Sequence, residues 1–396
     1  MAEVDFSDFD SAQAWFETQS VEMRCAMASR AALRVLATLC LFDRARRKTL
    51  TLVSFWAILT SAGRGSGRPA DVDALERSAL SAYSAALSAY SAADSALSAY
   101  SAVDSADSAR SAYSAALSAV DSAYSADSTD SAYSAARSAL SAADSAYSAA
   151  LSAVDSADSA YSAARSAALS AVSRDTIRAP EALMREPVWP DASPPPSIAE
   201  YHAQFLDYLD SDPDWTFWRR WYAQMWEGTF RDWDLAIEVA TLPDDLWEGE
   251  DALAKVAEAI RAIEARRALG PIITDLRDSE TRVASESFVP LRGHNNPPEL
   301  IDDPQLVTQV EIVWAALDTL EEEAKADAPD QSRALQALAV LRGWFLAACR
   351  YVGRKVDLAI NTTIQWGIPV VGGGYFVTHP DKLQKIIELA EIWLRP

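Results

Sequence analysis

A run of serine and alanine between Ser78 and Ser173 constrains the fold of this chain more than any other feature. It contains 29 serines at intervals of three or four residues, and 27 of them precede an alanine. The 28 intervals span 95 residues, a mean of 3.39. This spacing lies close to the 3.5-residue repeat of a coiled coil and far from the two-residue period of a strand. The run therefore predicts long helix.

The same run predicts that the helix turns back on itself. A single helix over residues 78–173 would be roughly 140 Å long. Its serines cost on the order of 12 kcal/mol relative to alanine, which a packed partner helix must offset. The Ser-Ala pairing fails internally only at Asp127–Asp130, a cluster of turn-forming residues. We expect an antiparallel, coiled-coil-like helical hairpin, and pairing between chains remains the alternative.

The rest of the chain shows helical hydrophobic spacing, so the predicted fold class is all-α with several modules. A proline after Asp212 indicates a helix start, and Gly270-Pro271 indicates the end of a helix from Glu250. Three helices are expected near the C terminus, and the Gly-rich stretch Gln365–Val377 predicts an apolar turn or short strand. The predicted division is an N-terminal helical module 1–62, a flexible linker 63–77, the repeat hairpin 78–173, a Pro-rich linker 174–197, a Trp-rich helical module 198–270, an irregular linker 271–307 and a C-terminal helical module 308–396.

Charge and cysteine content restrict the classes of partner and compartment. The net charge of −22 argues against a nucleic-acid partner, because binding to phosphate depends on clustered Lys and Arg. Cys25, Cys40 and Cys349 are odd in number and widely spaced, which favours free thiols in a reducing compartment. The first residues lack the charged and apolar segments of a secretory signal. We expect a cytoplasmic protein.

No pattern of residues indicates catalysis, a cofactor or a metal. The only histidines are His202, His294 and His379, and no two of them share a metal-ligand spacing. The chain has no Gly-x-Ser-x-Gly sequence, so a nucleophilic serine is not indicated. The sequence predicts a protein that is not an enzyme and binds no cofactor or metal.

A dense group of aromatic and arginine residues is the first candidate for a protein-interaction site. Trp and Arg are common at interface hot spots, although a small helical domain also needs such rings for its core. Core packing and a binding surface are both open at this point. The candidate residues are Trp215, Trp218, Arg219, Trp221, Tyr222 and Trp226.

The segment Arg292–Glu299, RGHNNPPE, is the second candidate. Its Gly, Asn and Pro residues favour turns and extended backbone, which suits either a linker or a docking peptide for another protein. The candidate interaction residues here are His294, Asn295, Asn296 and Pro297.

The order of these segments resembles a group of uncharacterised bacterial proteins, mostly from alphaproteobacteria. The resemblance is carried by ASRAALRVLATL near the N terminus, the Ala-Ser repeat, WTFWRRWY, RGHNNPPE and an apolar helical C-terminal region. It covers most of the chain. It implies no activity and no catalytic residues.

Together these features predict an intracellular helical scaffold that binds a protein partner or itself. The alternative is a membrane-acting effector, in bacterial conflict or phage defence, that uses its apolar terminal segments Val35–Ala62 and Leu335–Val377. Basic residues interrupt the second stretch, which suits a helix at a membrane surface better than one that spans it. In that alternative residues 331–377 contact the inner membrane peripherally.

Overall fold

The computed structural model of the chain describes residues 9–41, 44–68, 74–75, 77–79, 170–189, 193–286, 304–326, 328–356, 368–370, 374–376 and 380–395. The chain divides into two compact units, Met1–Ala259 (unit 1) and Ile260–Pro396 (unit 2). The prediction of an all-α fold is confirmed, and the described strands form only one short ribbon.

Unit 1 is a helical assembly. Its helices are α1 (Phe9–Glu17), α2 (Val21–Val35), α3 (Arg44–Gly65), α4 (Pro180–Leu183), α5 (Pro196–Asp210), α6 (Thr216–Glu227) and α7 (Trp233–Ala240), with 3₁₀ segments at Leu36–Leu41, Pro213–Trp215 and Asp244–Trp247. Side chains set the helix starts: Ser20 accepts a hydrogen bond from the backbone N–H of Met23, and Asp232 accepts one from that of Leu235. Such caps satisfy N–H groups that have no partner within the helix.

Helices α2 and α3 pack closely at the centre of unit 1. A Cβ added at Gly65 would lie 2.7 Å from the backbone nitrogen of Ala26, so only glycine allows this approach. Helix α3 continues to Gly65, and Ser66 is buried after it. The prediction of a flexible linker from residue 63 is therefore wrong at its start, because the glycines there serve helix packing.

The N-terminal helices and the Trp-rich helices share one core instead of forming separate modules. Phe55 of α3 stacks on Trp218 of α6, with ring centroids 5.1 Å apart. Trp56 stacks on Trp247 at 4.3 Å and donates its indole N–H to the carbonyl of Ala240 at 3.0 Å. Large aromatic side chains of the two segments bury each other, which is why these modules form one unit.

The predicted Pro-rich linker 174–197 is also part of this core. Leu183, Met184, Val188 and Trp189 are buried, and prolines open the short helix α4 and the longer α5. Proline at the first helical position costs no hydrogen bond. Two of the prolines, Pro180 and Pro196, therefore start helices, and the buried residues between them show that this segment is not a stiff spacer.

Helix α8 (Ala252–Glu286) begins in unit 1 and runs into unit 2. The prediction that it ends at Gly270-Pro271 is wrong. The predicted irregular linker 271–307 is helical over 271–286 and from Pro304 onward, and residues 287–303 lie outside the described residues. An internal proline costs about 3 kcal/mol, but Ile273 and Leu276 beyond it are fully buried. Burying each contributes roughly 1.5–3 kcal/mol, which offsets the cost of the proline.

Unit 2 contains the remaining helices, α9 (Pro304–Lys325), α10 (Gln331–Val356) and α11 (Pro380–Trp393), as the hydrophobic spacing predicts. Between α10 and α11, strands β1 (Ile368–Val370) and β2 (Gly374–Phe376) pair antiparallel, with Ile368 opposite Phe376. Apolar side chains from α8, α9, α10 and α11 make one core, including Leu269, Leu317, Leu341 and Ile386.

The predicted hairpin, with its turn at Asp127–Asp130, lies outside the described residues. The two ends of the repeat are described, and both belong to unit 1. Ser78 and Ala79 are buried where the repeat begins, and Ala171 and Val172 are buried where it ends. Among the described helices, none combines the length and apolar character needed to cross a membrane.

Candidate functional site

Most of the predicted aromatic interaction residues lie in the core of unit 1. Trp215, Trp218, Trp221 and Tyr222 are all essentially inaccessible to solvent. The ring of Phe55 from α3 lies within 6.1 Å of each of these four rings, centroid to centroid. Their burial supports the core-packing interpretation, since a partner cannot reach rings that are already covered.

Arg219 is the member of this group that faces a surface groove. Its guanidinium binds Asp210 with Nε–Oδ1 and Nη2–Oδ2 distances of 3.0 and 3.2 Å. The groove has a volume of about 530 Å³ and also presents Asp212, Arg220 and Glu227. The groove therefore presents both acidic and basic side chains, and the Arg219 charge is already paired with Asp210.

Trp226, the last aromatic candidate, is half-buried and stacks on His202. The two ring centroids lie 3.9 Å apart with a 14° angle between the planes. His202 Nδ1 lies 3.1 Å from the hydroxyl of Tyr222. Burial, with a smaller effect of Arg219, lowers the pKa of His202 to about 4. His202 is consequently neutral at pH 7 and a weak base.

The second predicted candidate, residues His294, Asn295, Asn296 and Pro297, lies outside the described residues. Its role as a docking peptide stays a prediction. The described residues contain no cluster of His, Cys, Asp or Glu side chains suited to a metal ion.

The two described thiols are held in their protonated form. Burial raises the pKa of Cys25 to about 12, although Arg64 opposes the shift. Burial also raises the pKa of Cys40 to about 11, again opposed by a nearby arginine, Arg47. Because the thiolate is the reactive species, both groups are poor nucleophiles at neutral pH.

A buried group of charges joins α2 to the segment that follows the repeat. Arg30 and Arg34, four residues apart on α2, both bind Asp175, and each of the three side chains is only 1% exposed. Arg30 reaches the two carboxylate oxygens through Nε and Nη2, at 3.0 and 3.1 Å. We call Arg30, Arg34 and Asp175 the arginine junction.

The arginine junction also holds the backbone of residues 183–188. Arg30 donates to the carbonyls of Leu183, Glu186 and Pro187 at 2.6, 2.9 and 2.7 Å. Arg34 donates through Nε to the carbonyl of Val188 at 3.1 Å. These carbonyls lie at and beyond the end of α4, where helix carbonyls need partners from outside the helix. The junction therefore fixes the path of the chain as it leaves the repeat.

The charges of the arginine junction do not balance. Two guanidinium groups share one carboxylate, and Arg34 Nη1 is buried without a hydrogen-bond partner in the described part of the chain. Burial lowers the pKa of Arg34, and Arg30 adds to this effect while Asp175 opposes it. Loss of the Asp175 charge would leave two buried cations, which is energetically costly.

The most exposed apolar surface of unit 2 lies on α10. On one side of this helix, Ala334, Leu338 and Leu341 are buried in the core. On the opposite side, Leu335 and Leu346 are 48% and 53% exposed. The outer face of α10 comprises Leu335, Gln336, Ala339, Val340, Gly343, Leu346 and Ala347, all of them exposed.

The outer face carries no charged side chain. Arg342 borders it, but its Nε lies 3.2 Å from a carboxylate oxygen of Glu391 on α11. At the centre of the face is Gly343, where an added Cβ would meet no atom within 4 Å. A helix that is apolar on both sides is normally covered on both. The outer face is therefore the best candidate for a binding surface among the described residues.

Sequence reasoning missed the arginine junction, and it identified the outer face of α10 only as part of the apolar segment Leu335–Val377 that was assigned to a membrane contact. The signal for the junction was two arginines four residues apart, Arg30 and Arg34, within the Ala- and Leu-rich stretch Ala28–Leu39. The signal for the outer face was the stretch Ala334–Ala347, in which Arg342 is the only charge. That composition leaves too few polar residues to cover one side of a surface helix.

Comparison of the chain with known protein families, with characterised proteins and with solved structures gives no match.

Proposed function

We propose that this protein is a non-enzymatic intracellular scaffold that binds a protein partner through the outer face of α10. The observation that carries the proposal is the exposure of three large apolar side chains, Leu335, Val340 and Leu346, on one uncharged side of a helix whose other side is already buried. A partner that presents an apolar helix face would remove this surface from water, which is the main driving force of such contacts.

The chemistry of the described side chains supports a role without catalysis. The thiols of Cys25 and Cys40 have raised pKa values, and the pKa of His202 is lowered. A catalytic nucleophile or base needs the opposite: a lowered thiol pKa, or a base whose pKa lies near the working pH. These groups serve packing better than proton transfer.

The position of the repeat supports the scaffold role. Both of its ends are buried in unit 1, and the arginine junction fixes the residues that follow it. We propose that unit 1 is the platform that carries the repeat as a spacer, while unit 2 supplies the binding face.

Photo-crosslinking from the outer face tests the proposed function. A benzophenone amino acid replaces Leu346 in the full chain, and its matched control replaces Gln384, an exposed residue of α11. Both variants are irradiated in the protein's native cells, and adducts are identified by mass spectrometry.

We expect a discrete protein adduct from position 346 and none from position 384. The absence of a protein adduct at 346, or adducts to lipid alone, would contradict the proposal. Adducts to lipid alone would instead favour the membrane-acting alternative.

A further inference from the structure

The outer face of α10 has the properties of a surface that pairs with itself. We infer that a second copy of this chain covers it, with two α10 helices antiparallel about a two-fold axis beside Gly343. This inference rests on the proposed function, because it names the partner of the same face. Three features of the outer face lead to it: charge, shape and area.

The charge of the face suits a second copy. The chain carries a net charge of −22, so two copies repel each other wherever acidic surfaces meet. A two-fold contact also places each residue near the axis against its own copy, so an unpaired charge there would repel itself. The outer face has no charged member, and its bordering Arg342 is paired with Glu391 within the same chain. Between Leu335 and Ala347, a strongly charged partner would find no opposite charge on this face.

The shape of the face is self-complementary. Ala339, Gly343 and Ala347 follow one another at four-residue spacing along its centre, and the space above Gly343 is open. Small side chains let two helix axes approach to about 8 Å. A two-fold axis at Gly343 places Ala339 opposite Ala347 of the second copy, and Val340 level with Leu346 of the second copy. Each copy's large side chains then have room beside the other's small ones.

The area of the face indicates a reversible pair. If all seven residues are covered, the contact buries roughly 400–500 Å² of accessible surface on each copy, or about 800–1,000 Å² in total. Contacts of this size are typical of weak and transient assemblies. We therefore expect the two copies to associate in a concentration-dependent manner at micromolar concentrations.

Sedimentation velocity of the full chain tests the inference. The sedimentation coefficient is measured from about 1 to 100 µM for the wild type and for Gly343→Leu, Gly343→Ala and Gln384→Leu, a range that brackets the affinities of weak interfaces. Gly343→Leu blocks the close approach of two helices but has room within one chain, whereas Gly343→Ala keeps the contact small. Gln384→Leu adds the same side chain at an exposed position of α11 outside the contact.

We expect the sedimentation coefficient of the wild type, Gly343→Ala and Gln384→Leu to rise with concentration. That of Gly343→Leu should remain at the monomer value, with an unchanged circular dichroism spectrum. A wild type that is monomeric throughout, or a Gly343→Leu variant that associates as the wild type does, would overturn the inference.

The crosslinking experiment separates this inference from the proposed function. An adduct from position 346 to a second copy of the chain supports both. An adduct to a different protein keeps the proposed function and overturns self-pairing. The absence of any protein adduct overturns both.

Discussion

Replacing Asp175 by asparagine tests whether the arginine junction stabilises unit 1. The substitution keeps the size of the side chain and removes the one carboxylate that Arg30 and Arg34 share. Arg30 retains its four carbonyl partners, whereas the one hydrogen bond left to Arg34 among the described residues is to the carbonyl of Val188. Two buried positive charges then remain without a counter-charge from the described residues.

The expected loss of stability is large because the group is buried. Removing one member of a buried ion pair costs about 3–5 kcal/mol. The asparagine oxygen still accepts a hydrogen bond, so we place the cost for Asp175→Asn near the lower end, at about 3 kcal/mol. Arg34→Met removes the surplus cation and leaves a balanced Arg30–Asp175 pair. It should therefore cost less, about 1–2 kcal/mol.

Urea unfolding followed by tryptophan fluorescence measures this effect, because nine of the 13 tryptophans precede residue 260. With a denaturant dependence of about 2 kcal/mol per molar urea, Asp175→Asn should lower the midpoint by about 1.5 M. The matched control is Asp210→Asn, which breaks an ion pair whose members are 38% and 57% exposed and should cost under about 1 kcal/mol. If the two asparagine variants lose the same stability, or if Arg34→Met is the more damaging change, the role assigned to the junction is wrong.

Three further predictions follow from single groups. Gly343→Ala should stabilise the chain by about 0.5–1 kcal/mol in thermal unfolding, because the position is helical, has room for a Cβ, and alanine loses less backbone entropy than glycine. A destabilised variant would show that the space beside Gly343 is filled. The pKa of His202 is about 4 in the folded protein, below its ordinary value of 6.5. The unfolded chain therefore binds this proton more readily, and the free energy of unfolding falls as the pH drops from 6.5 towards 4. Relative to His202→Gln, the wild type should lose about 1–2 kcal/mol across that window, a value reduced for the partial exposure of the ring, and parallel pH profiles for the two proteins would contradict this. Cys25 and Cys40 should resist iodoacetamide at pH 8 in the native protein, as peptide mass spectrometry would show, and rapid labelling of either would refute their assigned raised pKa values.

Helical periodicity predicted most of the fold because it depends on local sequence. The start of α10 at Gln331 and the end of α11 at Trp393 agree with the hydrophobic spacing. The errors occur where tertiary packing overrides a local signal. Pro271 lies within a helix because apolar residues beyond it are buried in unit 2. Gly65 ends a helix and does not open a linker, because α2 passes within contact distance.

The candidate sites were harder to predict because they depend on contacts distant in sequence. Asp175 lies 145 residues from Arg30, and no local pattern indicates that they meet. The sequence left the role of Trp218 open between core and surface, and it is the burial of this ring and its stacking on Phe55 of α3 that support the core. Composition alone shows that α10 is apolar on two sides. Only the structure shows which of these two sides is exposed to solvent.

Excising the repeat tests most directly whether unit 1 is a platform that carries it. Residues 80–169 are replaced by a Gly-Ser linker of about 30 residues, whose average reach of roughly 30 Å suits the dimensions of a compact unit. The near-ultraviolet circular dichroism of the buried tryptophans and the urea midpoint are compared with those of the full chain. If unit 1 folds independently of the repeat that it carries, the near-ultraviolet signal and the urea midpoint remain those of the full chain. Loss of the near-ultraviolet signal or of the cooperative unfolding transition would show that unit 1 needs the repeat in order to fold, which contradicts its role as a platform.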